Sequence, residues 1–480
     1  MPERTDRPLR SCLVGNSPVA GWKGPRDRLR RAACCLVFGT TAAMATALPA
    51  AASINIARDA ETEALLQEYA APIFEQANIK AGNVQIFLVV DPTFNAFVVD
   101  SKRMFINTGA IIAAETPNEI TGVIAHEAAH INHGDLAGIR QTIARSTTAA
   151  VIASLLGAGA AAAGAAAGIG DLDQAAAAIM SGSMHVAGRN ILAYARAQES
   201  AADNSAMDYL KATGQSGMGM VAVMRRLADD VLLSSRGADP YAQSHPMPAD
   251  RLQTLEYLAR QSPYADRKDP ADLQLRHDLV RAKLIGFTFT PAQVGRYYKD
   301  GDPSLPARYA WAIASYRSGA LAPALKRIDA LIAAMPDNAY FWELKGQALL
   351  EGGRPAEAVE PLRQAVQLAP SSGLLRIMFG RALVATEQPA NVKEAIPNLN
   401  VGLQKDPDVP LGWRTLARAY ALQNDLPMAD LATAEERFVI GKYDEARIHA
   451  ARAQERLKRG SPAWLRADDI LAYKPPKPLN

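Results

Sequence analysis

His126 and His130 stand four residues apart in Val123–Asp135, VIAHEAAHINHGD, with Glu127 directly after the first. On a helix, a four-residue step leaves two side chains about 40° apart in rotation and about 6 Å apart along the axis. Both imidazoles then leave one face and can reach a single ion through neutral nitrogens, the donors that Zn²⁺ prefers. Glu127 is rotated about 100° from His126, too far to be an equal ligand but well placed to reach a water at the ion. Zinc lowers the pKa of such a water to about 7, and a carboxylate can take its proton as it attacks a carbonyl. Two surface histidines on an ordinary helix would give the same spelling. The motif, however, lies in the apolar stretch EITGVIAHEAAHI, where unpaired His and Glu are costly to bury.

A catalytic zinc needs a third protein ligand and an open fourth position. Glu199 and Asp203, again four apart in RAQESAADNSAMDYL, share one side of a second apolar-periodic helix. Glu199 can ligate. Asp203 can accept a hydrogen bond from the free ring nitrogen of a ligand histidine and fix its tautomer. Carboxylates at this spacing usually mark a solvated face, and the pair gains its meaning from HEAAH upstream.

The elements that must position these residues follow from periodicity. RDAETEALLQEYAAPIFEQA is a helix with acidic residues early, VQIFLVVD is a strand, and NAFVVD and RMFINTG form a hairpin about the turn DSK. Pro117-Asn118-Glu119 opens the HEAAH helix over Ile120–Asn132, which closes near Gly134. Residues 53–262 therefore read as an α+β domain. Within it, 146–170 is uncharged and rich in Ala and Gly. Its low transfer energy ranks a loop or helical hairpin near the active site above a membrane span, and no basic face supports docking on a membrane surface.

Past a helical linker at 263–302 the order changes. Pro336 and Pro370 are 34 residues apart, the tetratricopeptide period, and Pro407 closes the next unit after 37. Small residues at Gly346 and Ala358 let two helices approach, while Trp342, Leu349 and Leu362 fill the space between them. Gly380, Leu383, Ala395 and Leu399 repeat those roles. Four or more imperfect repeats over 303–474 predict an all-α solenoid.

The chain has 480 residues and a net charge of +3, but residues 1–52 hold eight Lys/Arg against three Asp/Glu, and the rest carries 44 against 46. No basic stripe remains for nucleic acid. RDRLRR, a short apolar run and small residues ending at Ala50–Ala52 read as a secretory signal peptide over 1–52. All three cysteines, Cys12, Cys34 and Cys35, fall in this leader, which excludes thiol chemistry from the mature chain. His133 reads as a helix-end cation, and His185, His277 and His449 as surface or packing residues.

HEAAH at 126–130, ESAAD at 199–203 and SHPMPADR at 244–251 together resemble the M48 family of gluzincin metallopeptidases. Leader and repeats make the chain most similar to exported, repeat-bearing members from Gram-negative bacteria. The resemblance implies a zincin-like α+β protease domain binding one Zn²⁺ per chain, with His126, His130 and Glu199 as ligands and Glu127 as catalytic base. It also implies that Asp203 supports a ligand histidine. His245 and Arg251 match the family's H-P-x4-R segment, and His245 would either stabilise an oxyanion or reversibly fill the fourth position. Phe94–Asp100 resembles the strand beside the family's cleft, whose edge can pair with an extended substrate. The implied activity is periplasmic endopeptidase action on misfolded or stalled outer-membrane proteins. The repeats would hold substrate or the β-barrel assembly machinery. The rivals are a non-proteolytic chaperone or scaffold acting through the repeats, and an intramembrane protease, which would require spanning helices.

Overall fold

The computed structural model describes residues 55–475 except 81, 136–137, 139–140, 142–193, 234–244 and 246–248. The expected leader, the 146–170 segment and His185 lie outside the described residues.

Helix α1 (Ala60–Gln76) starts where the Asp59 carboxylate accepts from the Thr62 N–H at 2.8 Å, satisfying one of the unpaired donors of the first turn. Its inner face, with Leu65, Leu66, Tyr69, Ile73 and Phe74, packs on a four-stranded sheet. The strands are β1 (Ile56–Ala57), β2 (Gln85–Val89), β3 (Ala96–Asp100) and β4 (Arg103–Asn107), in the order β1-β2-β4-β3. The hairpin expected from NAFVVD and RMFINTG is present, with Phe97 opposite Phe105. Its second strand returns between β2 and β3, so β2 and β4 run parallel and β3 is left at the edge. Alternation sends Ile86, Leu88, Met104, Ile106 and Ala96 into the core beneath the helices. Phe87, Phe105 and Phe97 stack on the opposite face, with ring centroids 5.1 Å apart in each adjoining pair.

After α2 (Thr108–Ala113), helix α3 (Pro117–His133) has proline in its first turn and ends at Gly134, in the left-handed region at φ 69°. It is buried from Pro117 to His130, wedged among α1, β3 and a later helix, and so carries HEAAH through the middle of the domain. Helix α4 covers residues 194–212, and α5 is Met218–Leu233. A Cβ added at Gly122 of α3 would lie 2.7 Å from the Met220 Cβ, so glycine is what lets α3 and α5 touch. Helix α6 (Ala249–Gln261) completes this part.

Helices α7 (Ala271–Thr288) and α8 (Pro291–Tyr297) occupy the stretch read as a linker. They are helical as expected, but α7 is no mere tether. Leu279, Val280, Leu284 and Ile285 belong to one continuous core that runs from α1 and the sheet to Tyr309, Phe341 and Leu344 of the first repeats. The sequence shows apolar residues there but not that opposite sides of one helix are buried by different neighbours.

Five helix pairs follow: α9–α10 (Leu305–Arg317, Leu321–Ala334), α11–α12 (Ala339–Glu351, Pro355–Leu368), α13–α14 (Gly373–Ala385, Pro389–Lys405), α15–α16 (Pro410–Leu422, Leu426–Val439) and α17–α18 (Tyr443–Gln454, Pro462–Ala472). The small residues have the role their spacing gave them. A Cβ at Gly346 would come within 2.3 Å of Leu362, and one at Gly380 within 2.5 Å of Leu399. The fold is an α+β domain followed by an all-α repeat array. Among the described residues no helix is long and apolar enough to cross a membrane.

Candidate active site

Three segments distant in sequence meet at the site. Helix α3 brings His126, Glu127 and His130. On α4, Ala202, Ala206 and Leu210 are buried in the core, and Glu199 and Asp203 share that inward side. His245 and Arg251 come from the start of α6 and the residues before it. All seven side chains are buried.

The donor atoms converge. His126, His130, Glu199 and His245 each place one ligand-type atom within 4.8 Å of the others. His130 Nε2 lies 3.1 Å from His126 Nε2, and Glu199 approaches the two nitrogens at 3.6 and 3.4 Å. His245 Nδ1 stands 3.3 Å from His126 Nε2 and 3.0 Å from Glu199 Oε1. Nitrogen and carboxylate atoms of this kind crowding one point suit a divalent cation, and two imidazoles with a carboxylate are a zinc-compatible set.

The surroundings orient these groups. Asp203 Oδ1 lies 3.1 Å from His126 Nδ1, close enough for an ion pair though not aligned as a hydrogen bond. The Arg251 guanidinium donates to both Asp203 oxygens, at 2.7 and 2.9 Å, and its third nitrogen is 3.0 Å from Glu199 Oε2. Burial alone would raise the Glu199 carboxyl, but hydrogen bonds from His126 and His245 outweigh it and hold the group far below the usual carboxylate range. Burial pushes His245 down to about 4, so its ring is neutral at pH 7 with a lone pair to offer.

Glu127 differs from all of these. Neither of its buried carboxyl oxygens has a hydrogen-bond partner, and His245 Nε2 stands 3.5 Å from one of them. Burial pushes this carboxyl up to about 8. An unsatisfied buried carboxylate costs free energy, and such costs concentrate at reactive sites.

All seven residues singled out from sequence thus meet in one place. Sequence reasoning missed an eighth, Asp135, whose carboxylate accepts from His130 Nδ1 at 2.6 Å. The available signal was an acid placed just past the helix-ending Gly134. Of the remaining histidines, His133 pairs with Ser205 Oγ at 3.1 Å in the last turn of α3. His277 is a packing residue, buried between the Tyr69 hydroxyl and the Ala114 carbonyl, and His449 lies 3.1 Å from Asp430.

Comparison with known proteins agrees with this chemistry. Residues 57–259 match the family model of Peptidase family M48. A beta-barrel assembly-enhancing protease of Yersinia pestis is 24% identical over 418 residues, covering 84% of this chain and 82% of its own. That of Escherichia coli (strain K12) is 24% identical over 408 residues, covering 82% and 79%. The solved structure of MamA covers 33% of this chain and 90% of its own at a TM-score of 0.27 and 18% identity, a likeness too low to inform the fold. By its buried HEAAH and Glu199 cluster and by these matches, the chain carries a Peptidase family M48 domain and is a metalloprotease.

Proposed function

We propose that this protein is a zinc-dependent endopeptidase of the periplasm that cleaves misfolded or stalled outer-membrane proteins, its repeat array holding the substrate or an assembly partner. The observation that carries the reading is the meeting of His126, His130 and Glu199 beside a Glu127 carboxylate with no hydrogen-bond partner. Those three residues would hold Zn²⁺, which when bound supplies a Lewis acid that polarises the scissile carbonyl and acidifies water. Glu127 takes the proton of the attacking water and delivers it to the leaving amine nitrogen. Its buried setting favours both halves of that cycle, because a carboxyl near neutral pKa releases a proton as readily as it takes one. Asp203 orients His126, and Arg251 fixes Asp203 and Glu199 together.

His245 sits against Glu199, His126 and Glu127 at once, where an incoming carbonyl would have to lie. That position favours the latency reading over oxyanion stabilisation, since the ring must swing away before substrate can enter. The edge strand β3 packs beside α3, and among the described residues no strand pairs with its outer edge, where an extended peptide could add. The relatives' name, beta-barrel assembly-enhancing protease, supports a substrate class of β-barrel proteins under assembly.

The test uses residues 53–480, assayed on an unfolded outer-membrane β-barrel protein. Cleavage should stop with chelator and return with one equivalent of Zn²⁺ per chain. Undiminished cleavage in chelator would remove the zinc reading, and zinc binding without cleavage would favour a non-proteolytic holdase.

A further inference from the structure

The two histidines of HEAAH are supported unequally. His126 faces Asp203, whose charge is already taken up by the bidentate Arg251 guanidinium. His130 faces Asp135, and no guanidinium or ammonium among the described residues pairs with that carboxylate. Its other neighbours are His133 Nδ1 at 3.8 Å and Gln198. With its amide turned so that nitrogen faces Asp135, Gln198 donates to that carboxylate and accepts from the Tyr194 hydroxyl at 3.0 Å. Asp135 therefore accepts from His130 Nδ1, 2.6 Å away, and shares its charge with an amide rather than with a guanidinium.

The backbone is shaped for this contact. Helix α3 ends at Gly134, whose left-handed φ of 69° reverses the chain while its N–H still bonds back to the His130 and Ile131 carbonyls. The next residue is thereby turned under the last turn of the helix, where Asp135 is buried. A side chain at 134 would strain that turn, although nothing lies close enough to obstruct it sterically.

We propose that Asp135 is the positioning residue of the metal site. It holds a proton on His130 Nδ1, so that the Nε2 lone pair points at Glu199 and His126 and donates more strongly than the Nε2 of His126. A carboxylate on the outer nitrogen of a ligand imidazole fixes its tautomer and raises its basicity, and losing such a partner typically costs 10–100-fold in metal affinity. Because Asp203 is neutralised by the bidentate Arg251 guanidinium, whereas Asp135 has only an amide and a more distant imidazole besides His130 among the described residues, the larger loss belongs to Asp135. This inference rests on His130 being a zinc ligand.

The experiment measures zinc affinity of the full mature chain by competition with a chromophoric chelator, independently of proteolysis. Asp135→Ala should weaken zinc binding about 10–100-fold, Asp135→Asn less, because it keeps an acceptor without the charge. Asp203→Asn should lose less than Asp135→Asn. In the metal-free wild type, an imidazole Nδ1–H resonance assigned to His130 should be visible, and it should vanish in Asp135→Ala. Gly134→Ala, which leaves Asp135 in the sequence but strains the turn that places it, should weaken zinc binding in the same direction. Should Asp135→Ala not fold, Asp135→Asn and the resonance decide alone. Equal zinc affinity in wild type, Asp135→Ala and Asp135→Asn overturns the proposal while leaving the protease reading intact. A wild type that binds no zinc overturns both.

Discussion

Two buried polar clusters among the described residues are built on opposite plans. One is the candidate active site. The other lies where α1, α7, α9 and α11 meet: Lys283 Nζ reaches Asp59 at 2.5 Å and Glu61 and Glu343 each at 3.4 Å. Around it, the Tyr309 hydroxyl donates to Glu61 at 2.9 Å, and the ammonium stands 5.6 Å from the centre of the Tyr340 ring. This seam joins the protease part to the first repeats, and Arg58 extends it by pairing with Glu63, Asp406 and Asp408. In the seam, each buried carboxylate has a cation or a hydroxyl. In the active site, Glu127 has neither, and four potential ligands face one point. Buried charge is tolerable when paired. A chain that partners its buried acids in one place and leaves the Glu127 carboxyl without a hydrogen bond in another marks the second as the place for chemistry.

The contrast can be broken by exchanging what each cluster lacks. The largest expected effect is Glu127→Gln: cleavage should drop about 10²–10⁴-fold while zinc content stays at one per chain, and a variant that still cleaves at the wild-type rate would refute the base assignment. Lys283→Met leaves the buried Glu61 and Glu343 and the partly buried Asp59 without their ammonium and should destabilise by about 3–5 kcal/mol, read by urea unfolding. A milder loss would mean the seam is wetter than its burial indicates.

The third prediction concerns pH. Burial first of all, with Asp59 and Glu343 as negative neighbours, pushes the Glu61 carboxyl up to about 7, although Lys283 and Tyr309 pull the other way. A carboxyl raised in the folded state holds its proton more tightly there than in the unfolded chain. Its stabilising contribution is full below pH 4.5 and is lost as pH rises through 7. Glu343 is raised as well and acts in the same direction, whereas Asp59 is lowered and stabilises above the ordinary carboxylate range. Glu61→Gln should therefore flatten the fall in unfolding free energy between pH 5 and 8 by on the order of 2 kcal/mol. An unchanged slope would place the titration elsewhere. Smallest is Gly346→Ala, which must push Leu362 aside and should cost about 1–3 kcal/mol in the repeats, with zinc affinity unchanged.

Much of both regions was legible from residue types and spacing. The i, i+4 steps of His126 to His130 and of Glu199 to Asp203 put each pair on one face of its helix, because helical geometry is local and fixed. The repeats were legible for a related reason: Gly346 and Gly380 recur at positions where only a small residue lets paired helices meet. The sheet was legible as strands and a hairpin but not in its order, since nothing in VQIFLVVD says that β4 rather than β3 will pair with it. The seam escaped altogether. Asp59, Glu61, Lys283 and Glu343 look like ordinary surface charges in sequence, and only the docking of α7 between two helical layers buries them together.

The sequence by itself determined that an HEAAH helix, a second acid-bearing helix and a periodic helical array would form, because each depends on neighbours within a few residues. Tertiary structure decided that His245 would lie across the ligand cluster, that Asp135 would turn back beneath His130, and that one lysine would serve three distant carboxylates. These are contacts between segments whose separation in the chain carries no information about their distance in space. They exist only once apolar burial has brought the helices together, and they hold because a charge removed from water must find its partner there.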